Sequence, residues 1–345
     1  MEPEKSAHRR ARARRPLAWV VTAGGLAVAS LALLTHCVLS PAPAPRLPRV
    51  GVLGPSGPEG AAYLAALRHG LHDQGYVDGQ TIAIEEPPAV GTDLSLATGA
   101  TSLVDAQVDV IVSIGAAAAQ AAKAATTRTP IVAVGITSDP VALGLVASLS
   151  RPGGNLTGFL VDLPELGSKQ LELLAEAFPG TERVAVLWNP DHPTHPLVLR
   201  QLDVTARALG VTLQLVAVRG PDDVEPAFTA AAAARADAVL ALHDPVTFAQ
   251  RERIVALAAR YRLPAMYEFR EWVDGGGLFS YGPSLPEAYQ RAALYVDRIL
   301  RGARPEDLPV EQPTRFELVV NLRATRELGF PMSRAVLDDA TDVVQ

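Results

Sequence analysis

Six segments of this 345-residue chain place small, polar or aromatic residues directly after short apolar runs. They are Gly54-Pro55-Ser56-Gly57, Gly115-Ala116-Ala117-Ala118, Gly135-Ile136-Thr137-Ser138-Asp139-Pro140, Trp188-Asn189-Pro190, His243-Asp244-Pro245 and Tyr267-Glu268-Phe269. A helix that opens on glycine and alanines exposes unpaired N–H groups at the positive end of its dipole, a cradle for a carboxylate or another anion. Asp139 and Asp244 offer carboxylates to an ammonium or hydroxyl group, and Tyr267 and Tyr281 offer aromatic walls. Asp, Asn and Ser before Pro are also common helix N-caps, so a capping role stands beside the ligand role for each residue alone. Their joint occurrence at almost every run end favours a binding site.

Signatures of catalysis are missing where they would fall. The first turn does not spell G-x-G-x-x-G, no G-x-x-x-x-G-K-[ST] occurs, and no G-x-S-x-G elbow follows any apolar run. His192 and His195 flank Pro193-Thr194, which reads as a turn with solvated histidines, metal ligation being the alternative. The single cysteine, Cys37, lies in the N-terminal leader, so the body holds no disulfide, thiolate nucleophile or thiolate metal ligand. No nucleophile–base pair and no cofactor motif is visible, so neither an enzyme nor a bound cofactor is expected.

The elements that must position these residues alternate between strand and helix. Apolar β-rich runs at 49–53, 81–85, 110–113, 131–134 and 156–160 alternate with helical patterns at 59–74, 94–107 and 116–126. The same plan recurs: strands at 183–188, 212–218, 238–242 and 265–267, with helices at 196–209, 223–234 and 247–261. This is the pattern of parallel sheets covered by helices. Arg49-Val50-Gly51-Val52-Leu53 aligns with Arg183-Val184-Ala185-Val186-Leu187, and Thr129-Pro130-Ile131 with Leu263-Pro264-Ala265, both at an offset of 134 residues. Two alignable halves mean two similar domains rather than one long sheet. The remaining runs at 277–281, 286–300, 305–313 and 317–321 are too few for a third domain. They must return to the first two, so the chain crosses between domains more than once. In open parallel sheets ligands bind outside the carboxyl ends of the strands, which is where the six segments fall.

Charge excludes one class of partner. Residues 1–49 hold eight of the 31 Lys and Arg but two of the 37 Asp and Glu, so the remainder carries 23 basic against 35 acidic residues and a net charge of −12. Phosphate neutralisation needs a clustered cationic face, so nucleic-acid binding by the body is not expected. The leader itself has Arg9, Arg10, Arg12, Arg14 and Arg15 ahead of an uncharged stretch from Pro16 to Pro45, then a Pro-rich linker. That is the orientation of an export signal or an N-in anchor. Leu34-Thr35-His36-Cys37 resembles a lipoprotein box and Ala42-Pro43-Ala44 an ordinary cleavage site, so lipidation at Cys37, cleavage and an uncleaved anchor all stand. The expected location is periplasmic or extracytoplasmic, either membrane-anchored or released.

The ordered motifs carry a family resemblance. Gly75-Tyr76-Val77, Val108-Asp109-Val110-Ile111-Val112, Asp139-Pro140-Val141, Arg151-Pro152-Gly153-Gly154-Asn155-Leu156-Thr157-Gly158, Val184-Ala185-Val186-Leu187-Trp188-Asn189-Pro190, Tyr281-Gly282-Pro283 and Leu308-Pro309-Val310-Glu311-Gln312-Pro313-Thr314 resemble the ABC transporter substrate-binding proteins of the type I periplasmic-binding-protein fold, a group with tryptophan and tyrosine binders. The resemblance implies an α/β fold of two Rossmann-like lobes with three inter-lobe crossings, near Val161, Ser284 and Pro313. It divides the chain into a leader and linker at 1–48, an N-terminal lobe at 49–161 plus 285–312, and a C-terminal lobe at 162–284 plus 313–345. It implies ligand contacts at Ser56, Gly115, Ala116, Ala117, Asp139, Asn189, Asp244, Tyr267 and Tyr281. The family has a hydroxyl or small residue near Gly115 to Ala118; with only alanines here, recognition at that turn would be by backbone N–H. The implied function is a monomeric extracytoplasmic solute-binding protein that delivers a small, amino-acid-like ligand to an ABC transporter permease. A periplasmic sensor acting on a membrane signalling partner is the alternative on the same fold.

Overall fold

A computed structural model describes residues 46–54, 58–87, 93–161, 163 and 165–345. The leader, Cys37 and Ser56 lie outside the described residues. In chain order the elements are β1 (Arg49–Leu53), α1 (Pro58–Asp73), β2 (Ala83–Glu85), α2 (Asp93–Asp105), β3 (Val110–Ile114), α3 (Ala116–Ala125), β4 (Ile131–Ile136), β5 (Leu156–Leu160) and α4 (Leu166–Ala177). There follow β6 (Arg183–Trp188), α5 (His195–Leu209), β7 (Thr212–Ala217), α6 (Val224–Ala233), β8 (Ala238–Ala241), α7 (Pro245–Ala249), α8 (Arg251–Tyr261), β9 (Ala265–Tyr267), α9 (Arg270–Asp274) and β10 (Phe279–Gly282). The chain ends with α10 (Leu285–Leu300), β11 (Glu317–Asn321), α11 (Leu322–Leu328), α12 (Arg334–Asp338) and β12 (Asp342–Val344).

Two sheets result. The first runs β2-β1-β3-β4-β5, all parallel; the second runs β12-β11-β10-β9-β8-β6-β7, parallel except where β11 pairs antiparallel with β10. Within each, the first five strands of the repeated unit take the order 2-1-3-4-5, so the aligned strands at 49 and 183 sit at equivalent places. This is the α/β architecture expected from the sequence, and its reason is in the side-chain period. In the first sheet Val50, Val52, Val110, Val112, Val132 and Val134 point to the face covered by α1 and α10, while Leu53, Ile111, Ile131 and Ala133 point to α2 and α3. Strands buried on both faces need apolar residues at consecutive positions, which is how these runs read. The second sheet repeats the arrangement: Ala185, Leu187, Val239 and Tyr267 face α6 and α8, and Val184, Val186, Leu240 and Met266 face α4 and α5.

The chain crosses between the sheets three times. After β5 it passes to α4 and the second sheet. After β10 it returns as α10, whose Tyr289, Ala292, Ala293 and Val296 join the α1 side of the first sheet. The following segment lies along β5, with Leu160 N–H donating to Glu311 O at 2.9 Å and Glu311 N–H to Gly158 O at 2.9 Å. The Glu311 carboxylate pairs with Arg291 of α10 and accepts from the Tyr295 hydroxyl at 2.9 Å. The last crossing leads into β11. Leu47–Gln345 forms one compact unit, and no helix among the described residues is long and apolar enough to cross a membrane.

Several elements differ from the sequence reading, including the short helices α9, α11 and α12, which were not expected. The helix expected over 247–261 starts at Pro245 and breaks at Gln250, because Asp244 caps it through Thr247 N–H and Gln250 adopts φ −100, ψ 13. α4 was not expected, and it buries Leu166, Leu171, Leu173, Leu174 and Ala177. β12 is three residues long and exists only through its pairing with β11, a length too short for periodicity to reveal.

Candidate functional site

The carboxyl ends of both sheets open onto one cavity of about 750 Å³. Gly54 after β1, the α3 start and the segment after β4 line it from the first lobe, joined by Tyr63 of α1 and Tyr289 of α10. Val161 and Leu285 line it where the chain crosses between lobes, and His192, Pro193, His243, Phe248 and Phe269 line it from the second. Among the described lining residues none is Asp, Glu, Lys or Arg.

On the first-lobe side, Gly115 sits at φ +85, a backbone state suited to glycine. Its N–H donates to Val134 O at 2.8 Å, and Ala119 N–H closes the first turn on Gly115 O at 3.1 Å. The N–H groups of Ala116, Ala117 and Ala118 belong to the opening turn, which has no intrahelical acceptors for them, and no side chain caps this helix. Tyr63 and Tyr289 stack at 4.6 Å to form an aromatic wall beside it.

The second-lobe wall is built from two loops tied together. Asn189, after β6, donates its Nδ2–H to Asp244 Oδ2, after β8. Asp244 is fully buried, and its Oδ1 accepts Thr247 N–H at 2.7 Å as the cap of α7. His195 Nε2 lies 3.0 Å from His243 O; a carbonyl only accepts, so Nε2 carries the proton and Nδ1 accepts Asn189 N–H at 3.0 Å. His192, whose ring lies tilted against that of His195 with centroids 4.3 Å apart, keeps its Nδ1 3.1 Å from Thr194 Oγ1.

These histidines are not solvated, contrary to expectation: both are buried, with His192 lining the cavity and His195 outside its lining. Burial pushes the His192 pKa down to about 4, with His195 adding to the shift and Asp244 opposing it. Burial lowers His195 as well, against the hydrogen bonds to His243 and Asn189. Burial takes His243 down to about 3, helped by His192 and His195. Among the described residues no set of three His, Cys, Asp or Glu side chains gathers for a metal ion.

The lowered values make a pH prediction. The unfolded chain takes up these protons near pH 6.5, whereas folded His192 and His243 do so only at about 4 and 3, so the stability they confer is complete above pH 6.5 and is lost as pH falls toward 4. Urea unfolding at pH 7.5, 6 and 4.5 should show a falling midpoint, and the fall should be shallower in His192→Asn.

Of the residues singled out in the sequence, Gly115, Ala116 and Ala117 line the cavity. Asp139 does not: it is exposed and accepts Val141 N–H at 2.8 Å, while its neighbours Thr137 and Ser138 line the cavity. Asn189 and Asp244 lie under the wall, engaged with each other. Tyr267 is buried against Trp272 at 4.6 Å on the α6 and α8 side of its sheet. Tyr281 stacks on Phe316 at 5.9 Å and its carbonyl accepts from Gln170 at 2.8 Å. Lining residues that were not assigned a ligand contact include Tyr63, Tyr289, His192, His243, Phe248 and Phe269. Phe269 and His243 stood in the run-end segments, each one or two positions from the residue chosen.

The profile of ABC transporter substrate binding proteins matches residues 54–344, nearly the whole described chain. The chain belongs to this family. A tyrosine-binding protein of Clostridioides difficile is 26% identical over 251 residues, covering 73% of this chain and 72% of that protein. A Vibrio cholerae conserved domain protein of solved structure is 29% identical, with a TM-score of 0.78, over 86% of this chain and 100% of that one. A Streptococcus pneumonia ABC domain in complex with L-Trp is 26% identical, with a TM-score of 0.77, over 87% of this chain and 100% of that one. As a member of a solute-binding family the chain is a binding protein of transport, not an enzyme.

Proposed function

We propose that the protein captures an aromatic, amino-acid-like solute outside the cytoplasm and passes it to the permease of an ABC importer. The observation that supports this most is the cavity between the two sheets: a helix N-terminus on one side and aromatic rings on both. The N–H groups of Ala116, Ala117 and Ala118 would hold the ligand carboxylate. Tyr63, Tyr289, Phe248 and Phe269 would hold its ring. The names of the similar tyrosine-binding protein and L-Trp complex point to the same ligand class. The lobes that close on it are 49–161 plus 285–312 and 162–284 plus 313–345. The arginine-rich leader would place the protein outside the membrane, anchored or released.

A thermal-shift titration of the full-length chain with L-tyrosine, L-tryptophan, L-phenylalanine and L-lysine tests the reading. A ligand that binds only the native state contributes about 2.7 kcal/mol at a hundredfold excess over Kd. An aromatic amino acid should raise Tm by several degrees and L-lysine should leave it unchanged. No shift with any aromatic would overturn the ligand assignment, though not the family.

A further inference from the structure

We infer that His243 is the side chain through which the second lobe recognises a hydrogen-bonding group on the ligand's ring, a phenolic hydroxyl or an indole-type N–H; this rests on the aromatic ligand class proposed above. His243 follows β8 and lines the cavity. Its ring stands edge-on to Phe269 at 4.6 Å and to Phe248 at 5.1 Å, so two phenyl rings fix its orientation. Its main-chain carbonyl is occupied by His195, and the Asn189–Asp244 bond one residue away anchors the same loop. The ring is held by packing and by its backbone; Nδ1 is closed off from solvent with no hydrogen-bond partner to fix the tautomer, which leaves Nε2 as the nitrogen that can meet a ligand in the cavity, as acceptor or donor.

The surroundings on this wall are His192, Pro193, Pro245, Phe248, Ala249 and Phe269, which accommodate a ring and offer it no competing charge. Burial keeps the imidazole neutral, so one ring nitrogen accepts and the other donates. That single group therefore satisfies either a hydroxyl or a ring N–H. His192 is a weaker candidate, because its Nδ1 already meets Thr194 Oγ1.

Titration calorimetry on the full-length chain should compare two ligand pairs, each differing only in the polar ring group: L-tyrosine with L-phenylalanine, and L-tryptophan with its sulfur isostere 3-benzothienyl-L-alanine. The wild type should prefer the polar member of at least one pair by tenfold or more, since a site built around a hydrogen bond rejects the analogue lacking it. His243→Leu and His243→Phe should each weaken the polar ligand ten- to a hundredfold and the apolar one less than threefold, removing the preference. His243→Gln, which keeps a hydrogen-bonding end, should retain part of it, and urea midpoints identify any variant that fails to fold. A preference that survives in all folded variants, or no preference in a wild type that does bind aromatics, overturns the role of His243. A wild type that binds none of the four overturns the aromatic ligand class itself, and the inference with it.

Discussion

Gly158→Ala is expected to destabilise the protein by about 4 kcal/mol or more, enough to send much of it into the insoluble fraction on expression. Gly158 lies in β5 at φ +154, and a Cβ there would sit 1.8 Å from the carbonyl oxygen of Ala133 on β4, with the Ala133 carbonyl carbon at 2.7 Å and its nitrogen at 2.8 Å. The obstacle is backbone in a strand with neighbours on both sides, so no rotamer change relieves it. The β4–β5 ladder would have to part, and the Gly158–Glu311 hydrogen bond that ties the returning segment to the first lobe would go with it. Soluble yield and the urea midpoint measure the effect. A midpoint within about 1 kcal/mol of wild type would mean that β5 does not pack this closely on β4 in solution.

Asp244→Ala should cost about 3 kcal/mol of stability and also weaken ligand binding about tenfold. The substitution removes the cap of α7 and leaves Thr247 N–H and the Asn189 amide without acceptors in a fully buried place. A lost cap costs about 1 kcal/mol and each buried unsatisfied donor about 1–3 kcal/mol, and the two overlap at Thr247. The effect on binding is indirect, because Asp244 does not line the cavity; it ties the loop carrying His243 to the loop carrying His192. Asp244→Asn keeps one acceptor and the side-chain shape and should recover most of the stability. Asp139→Ala, at an exposed turn with a single short-range bond, should change stability by less than about 0.5 kcal/mol. Unfolding and titration on the three variants separate these cases. Equal effects of Asp139→Ala and Asp244→Ala on affinity would refute the indirect role.

The fold was legible because its cause is local and repeated. Strands buried on both faces must be apolar at successive positions, helices must show a 3.6-residue period, and the offset of 134 residues between Arg49 and Arg183 exposes the duplication before any contact is known. The mouth of the cleft was legible for the same reason, since ligands sit beyond strand ends and strand ends can be read. The identity of the side chains at that mouth could not be. Tyr267 and Phe269 lie two positions apart, but Tyr267 is inside β9 and turned against Trp272, whereas Phe269 is past its end and reaches the cavity. Asp244 and His243 are adjacent, yet Asp244 turns inward to cap α7 and His243 lines the cleft. Tyr63 and Tyr289 are separated by 226 positions, and the stack they form depends on the chain's return from the second sheet to lay α10 against α1. Sequence period determines which face an element buries; the ends of elements, where that period stops, take their directions from hydrogen bonds and packing across loops that only the assembled tertiary structure brings together.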